Sequence, residues 1–202
     1  MVAALALLLA PAAARAATPA FVPGDHALGR SWLAPENVVF GDGTYALNLP
    51  AGTTDGAEIR STTQYKSGVV RTRMRVADAP SSLTGFFLYA APDYASEIDI
   101  EILNDSTGTV LLSTYAGGRQ SNTETRTLGF DPTAAAHTYE IAWGSGRVAF
   151  VVDGVTLRRW TSGVPTAPMN LYANAWFPAW LEGLAPAGTR TTMIDRIEYR
   201  RR

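Results

Sequence analysis

The segment Ser96-Glu97-Ile98-Asp99-Ile100-Glu101-Ile102 alternates acid and isoleucine without a break. Successive side chains of a strand point to opposite faces, whereas a helix would spread both sets around its circumference, so this run can bury its isoleucines together only as a β-strand. Other parts of the chain keep the same period. From Val69 to Val76, Arg71, Arg73 and Arg75 fall on one face and Thr72, Met74 and Val76 on the other, the pattern of a strand with one wet side. Phe86 to Ala90, Val110 to Tyr115, Thr138 to Trp143, Val148 to Val152, Met169 to Ala175 and Met193 to Tyr199 are further strand candidates, rich in β-branched and aromatic residues. Asp42-Gly43, Gly144-Ser145-Gly146 and Asp153-Gly154 separate apolar runs with residues that accept positive φ, as tight hairpins need. Helical signal is confined to one turn, where Asp131 can cap Pro132 to Ala136.

Many short strands with regular turns predict an all-β fold: two stacked antiparallel sheets forming a jelly-roll β-sandwich. Sandwiches of 202 residues form one domain around one core. Residues 1–17 read as an export signal, with an apolar run from Val2 to Ala10, a break at Pro11 and a small-residue cleavage site at Ala14-Arg15-Ala16. The apolar run is too short to span a bilayer. The expectation is therefore a secreted protein whose single domain occupies residues 18–202 and works as a monomer.

Composition narrows the chemistry. With 17 basic and 18 acidic side chains the formal charge is −1, so no overall field favours nucleic acid or an anionic membrane surface. The absence of cysteine removes thiol catalysis, thiolate metal sites and disulfides. Two histidines, His26 and His137, argue against a Ser-His-Asp hydrolase or a multi-histidine metal centre. His137, at a strand entrance, reads as structural.

The acidic face of the 96–102 strand is where chemistry can reside. Glu97, Asp99 and Glu101 lie about 7 Å apart in sequence along one face, and no Lys or Arg within the run compensates them. Stacked carboxylates hold one another's pKa values apart, leaving one protonated as an acid and another ionised as a nucleophile. Retaining glycoside cleavage needs such a pair, roughly 5 to 5.5 Å apart across the scissile bond. Backbones four residues apart on a flat strand are about 13 Å apart, so the sheet has to be concave for Glu97 and Glu101 to serve as that pair. Asp99, between them, is placed to hydrogen-bond Glu97. Taken alone, the same pattern also fits a solvated outer strand face.

The run Glu-x-Asp-x-Glu resembles the signature of family 16 of the glycoside hydrolases. Several other segments, in order, are similar to that family: Gly56 to Ser61 followed by Gly68 to Met74, Phe86 to Tyr89, His137 to Trp143 with Val152 to Gly154, and Pro168 to Trp176. The resemblance spans about residues 32 to 199 and takes the regular form of the motif, as in the lichenase and xyloglucan branch. It implies a concanavalin A-like jelly roll with a concave substrate cleft. By resemblance Glu97 is the nucleophile, Glu101 the general acid/base and Asp99 the assisting carboxylate of an endo-acting, retaining enzyme on a polysaccharide, β-glucan first among the candidates. A cell-wall transglycosylase and a catalytically silent carbohydrate-binding protein are the alternatives. Little sequence precedes Trp32, which questions how one sheet edge is closed, and Ser96 stands where lichenases have an acidic residue after a tryptophan.

Sugar rings stack on aromatic faces beside polar groups. Tyr89, Tyr115, Trp176 and Trp180 are the aromatic candidates for the cleft, although each fits a core position as well. Asn174 is a candidate for bonding a sugar hydroxyl. Glu58 and Arg60 are candidates for the same role, or for a plain ion pair between strands. The resemblance also implies a structural calcium ion held by Asp195 and the Gly43 carbonyl, a hard-cation site of oxygen ligands that catalysis does not require.

Overall fold

The computed structural model describes residues 16–201. Among these, sixteen strands follow in order: β1 (Phe21–Pro23), β2 (His26–Leu28), β3 (Ser31–Leu33), β4 (Val38–Phe40), β5 (Tyr45–Leu49), β6 (Ala57–Tyr65), β7 (Gly68–Arg75), β8 (Leu83–Ala90), β9 (Ser96–Leu103), β10 (Thr109–Ala116), β11 (Gln120–Thr127), β12 (His137–Gly144), β13 (Arg147–Val152), β14 (Val155–Trp160), β15 (Met169–Trp176) and β16 (Arg190–Arg200). One seven-stranded sheet has the order β1-β6-β15-β8-β9-β10-β11 and a second the order β14-β13-β12-β7-β16-β5-β4, while β2 and β3 form a small hairpin of their own. All ladders between named strands are antiparallel, giving the expected jelly-roll sandwich.

Each sheet turns its apolar alternation inward. Ile98, Ile100 and Ile102 of β9, Phe86 and Leu88 of β8, and Leu171, Ala173 and Ala175 of β15 meet Val70 and Met74 of β7, Tyr139 and Ile141 of β12 and Phe150 of β13 in one buried cluster. Removing this apolar surface from water drives the two sheets together. Ser145 and Gly146, and again Asp153 and Gly154, take positive φ in the tight turns joining β12 to β13 and β13 to β14.

Three expectations need adjustment. The edge left in question is closed by β1, which pairs with β6 through Phe21–Ser61, Val22–Arg60 and Pro23–Ile59. The expected export segment ends at Ala17, and residues 1–15 lie outside the described residues; Ala17 itself exchanges backbone hydrogen bonds of 2.9 and 2.8 Å with Tyr199 and is part of the described fold. Residues after Asp131 form a turn, not a helix: the Asp131 carboxylate accepts from the Thr133 N–H at 2.8 Å and from its hydroxyl at 2.7 Å. The described helical structure is instead a 3-10 turn at Pro35–Asn37.

Candidate active site

Burial of the three isoleucines forces Glu97, Asp99 and Glu101 onto the outer face of the first sheet. The strand register then decides what stands beside them. One cross-strand rung runs Glu58, Asn174, Gly85, Glu101; the next Arg60, Tyr172, Phe87, Asp99, Ser113; the third Asn170, Tyr89, Glu97, Tyr115, Gln120. Trp176 lies beyond the first rung, so along the strand direction tryptophan marks one end of the acidic row and tyrosines the other. Every residue assigned above to catalysis or to substrate contact lines one open cavity of about 780 Å³ on this face.

Gly85 is required where it stands. A Cβ there would come 2.6 Å from Asn174 Oδ1, which accepts a 3.1 Å hydrogen bond from the Gly85 N–H. The missing side chain also leaves room beside Glu101.

The carboxylates are not ordinary surface acids. Burial pushes Glu101 up to about 7. Glu97 is also pushed up to about 7, by burial first and then by the negative charges of Glu101 and Asp93, while a hydrogen bond with Asp99 pulls it down. Asp99, 6% exposed, sits well above the usual carboxylate range because it is buried and lies beside Glu97 and Glu101. A neutral Asp99 that donates its proton to an ionised Glu97 satisfies both directions at once. Its other oxygen, Oδ1, has no partner and is closed off from solvent.

Two of the substrate-contact expectations change in character. Asn174 is 2% exposed, and its amide is used within the protein: Oδ1 on Gly85, Nδ2 on Glu58 Oε2 at 3.4 Å. Its free reach toward a sugar hydroxyl is correspondingly small, and its evident work is to position Glu58. Glu58, 3% exposed, is raised to about 7, with burial outweighing the Asn174 hydrogen bond and the Arg60 charge. Glu58 and Arg60 share one strand face, so they do not tie adjacent strands together as an ion pair would; opposite Arg60 stands Tyr172. Trp180 is 57% exposed on the rim, as a sugar-stacking ring needs to be.

Sequence reasoning missed Phe87, Tyr172, Asp93, Tyr94 and His26, all of which line the cavity. Phe87 and Tyr172 follow from period two, being two residues from Tyr89 and from Asn174 on the same faces. Tyr94 supplies an aromatic ring near Ser96, where none was expected: it is 55% exposed and its ring centroid lies 5.5 Å from that of Tyr115. His26 carries no periodic signal; the β1–β2 segment brings its Nε2 to 4.0 Å from Glu58 Oε1. His137 stays outside the cavity, stacked on Phe130 at 3.5 Å and bonded through Nδ1 to Asp153 at 2.6 Å.

Of the residues expected to hold calcium, Asp195 has a competing partner, while the β16–β5 register sets its neighbour Ile194 opposite Tyr45, two residues from Gly43. The Asp195 carboxylate is paired with the Arg73 guanidinium, which satisfies its charge. Among the described residues no group of three or more His, Cys, Asp or Glu converges as a metal site, there or elsewhere.

Residues 30–195 match the family model described as glycosyl hydrolases family 16. The chain belongs to that family. Among its relatives is the β-glucanase of Paenibacillus polymyxa, 32% identical over 84% of this chain and 75% of the relative. Xyloglucan endotransglucosylase/hydrolase protein 22 of Arabidopsis thaliana is 30% identical over 64% of this chain and 50% of its own length. The fold is also that of the solved Bacillus licheniformis β-glucanase, with a TM-score of 0.82 at 23% identity, covering 96% of this chain and all of that one (100%). Family 16 membership makes the chain a glycosidase, and the acidic row on β9 is where its described residues concentrate perturbed carboxylates in a cleft.

Proposed function

We propose that the protein is an endo-acting, retaining hydrolase of β-glucan in which Glu97 is the nucleophile, Asp99 its assisting acid and Glu101 the general acid/base. The observation that carries this is the placement of the three acids on one cleft-facing strand face, with a buried Asp99 against Glu97. Glu101, kept protonated by burial, gives its proton to the leaving glycosidic oxygen while the ionised Glu97 attacks the anomeric carbon. Glu101, now a base, takes a proton from water, which displaces Glu97 and releases the sugar with its configuration retained. No metal enters either step. The open cleft, with aromatic rings at both ends, suits a chain held at internal linkages. β-Glucan is favoured because the bacterial relatives that match most of the chain are named β-glucanases.

The relatives named as endotransglucosylases favour a second reading, in which a sugar hydroxyl takes the place of water. Added oligosaccharide acceptors discriminate between the two: diversion of product into longer chains at the expense of reducing ends identifies transfer. Export, with a signal cleaved ahead of the Ala17–Tyr199 pairing and one catalytic domain after it, and action as a monomer belong to the same proposal.

The deciding experiment measures reducing-sugar release from mixed-linkage β-glucan, β-1,3-glucan, xyloglucan and a galactan, with Glu97→Gln and Glu101→Gln as controls. Release from a β-glucan, with the β-anomer appearing first by NMR and both controls inactive, is the expected result. Inverted product, or undiminished activity in Glu97→Gln, would overturn it.

A further inference from the structure

The tight turn between β2 and β3 packs against Trp176 and bonds the backbone on either side of Trp180. Gly29 has φ +57, and a Cβ there would fall 2.6 Å from the Trp176 ring and 2.9 Å from the Phe177 carbonyl, so only glycine lets this turn close onto the end of β15. The next residue, Arg30, donates its backbone N–H to the Phe177 carbonyl at 2.8 Å, and its own carbonyl accepts from the Thr54 hydroxyl at 2.7 Å. Its guanidinium then donates to four further carbonyls: Pro178 at 3.3 Å, Leu181 at 2.7 Å, Gly183 at 2.9 Å and Ser81 at 3.1 Å. The guanidinium carbon also lies 5.6 Å from the centre of the Phe177 ring.

None of these acceptors is a carboxylate, so the side chain is not engaged in an ion pair. Three of the four belong to the 177–189 segment between β15 and β16, and they flank Trp180 on both sides. That segment has little order of its own making: one backbone hydrogen bond, Leu181 N–H to Pro178 at 3.3 Å, lies within it, and its ties apart from Arg30 are the Phe177 N–H to the Ser31 hydroxyl at 2.8 Å at its start, the Ser81 hydroxyl to Leu184 and the Gly52 N–H to Pro186. A strandless segment presenting a half-exposed tryptophan would lose binding free energy each time it had to be ordered around a ligand. A planar fork with five N–H donors can hold several carbonyls in fixed directions, whereas an ammonium offers three donors from one point.

We infer that Arg30, seated by Gly29, is a positioning residue that fixes Trp180 beside the strand-held Trp176 in the preformed wall of the substrate cleft. It acts on glycan affinity and leaves the chemistry at Glu97 and Glu101 untouched. This rests on the reading of the cleft as the glycan site. It also makes the segment around Trp180, rather than the acidic strand, the part of the cleft in which one side chain holds the most backbone carbonyls.

The test compares wild type, Arg30→Lys, Trp180→Ala and the double variant on the glucan that wild type hydrolyses. Arg30→Lys is expected to raise KM about tenfold with kcat within about twofold and the pH profile unmoved. The double variant is expected to be no worse than Trp180→Ala alone, since both remove one wall. Independently of any substrate, hydrogen exchange of the 177–184 amides is expected to rise about tenfold or more in Arg30→Lys, while β9 amides keep wild-type protection. A lowered melting temperature with KM unchanged, a fall in kcat with a displaced pH profile, or unaltered exchange in the 177–184 segment overturns the inference. Should wild type cleave no glucan, the exchange measurement still decides whether Arg30 orders the wall, and the failure falls on the proposed substrate alone.

Discussion

Asn174 and Glu58 face each other across the β15–β6 ladder, and the Asn174 amide donates to Glu58 Oε2 at 3.4 Å while its oxygen accepts from Gly85. Both side chains are almost wholly buried, so neither has water as an alternative partner. Asn174→Ala strips two partners at once, the buried Gly85 N–H and the buried Glu58 carboxyl. The expected cost is about 2 to 4 kcal/mol in urea unfolding, the sum of two desolvated polar groups. A loss below about half a kcal/mol would mean that Asn174 does not position Glu58.

The three acids of β9 set the pH dependence of turnover. Glu97 has to be ionised and Glu101 protonated, and both are pushed to about 7. The two carboxyls repel when both are ionised, so their protons come off in two steps and the productive, singly ionised state lies between those steps, around neutrality. kcat/KM is expected to fall on the alkaline side as Glu101 loses its proton. Glu101→Gln should remove that limb and cost roughly 10²- to 10⁴-fold on a polysaccharide, with much of the loss recovered on an aryl glycoside whose leaving group needs no protonation. An alkaline limb that persists in Glu101→Gln assigns the acid elsewhere.

Asp99→Asn tests the donor role of Asp99 separately from its charge. The amide keeps an N–H to offer Glu97 but cannot take up or release a proton, so folding no longer has to hold a proton on a buried carboxyl that the unfolded chain releases. Turnover is expected to fall about tenfold or more while the variant gains stability at pH 8, measured by thermal unfolding. Asp99→Ala should lose activity further, because Glu97 then lacks a donor. Equal activity of the two variants would remove the hydrogen bond from the mechanism.

The legibility of this chain follows its burial. β9 was readable because one face consists of isoleucine alone, and β7 because arginine alternates with Thr72, Met74 and Val76. β11 was not: Gln120–Thr127 carries polar residues on both faces, as an exposed edge strand can, and no period survives. The three-residue strands β1 to β3 are too short to show one, yet they build the wall that brings His26 to the cleft. Residue type located the site but could not separate reach from support. Asn174 and Trp180 are both candidates in sequence; register on β15 makes Asn174 a buried brace, whereas Trp180 lies in the loop after that strand and stands exposed on the rim.

Glu58 offers the plainest measurement of what the cleft costs the fold. Its carboxyl rises from 4.5 to about 7 on folding, mainly because it is buried. Between those values the folded protein holds a proton that the unfolded chain has released, so this group's contribution to stability is complete below about pH 4.5 and is lost as pH rises through 7. A shift of that size corresponds to about 3 kcal/mol between pH 4.5 and 8. Glu58→Gln cannot ionise and still offers an oxygen to Asn174. Its stability relative to wild type is therefore expected to climb with pH across that window, by up to about 3 kcal/mol, when urea midpoints are compared at pH 4.5, 6 and 8. Parallel profiles for the two proteins would mean that Glu58 stays ionised in the folded state, with its charge compensated by Asn174 and Arg60 more strongly than the burial of its carboxyl opposes it.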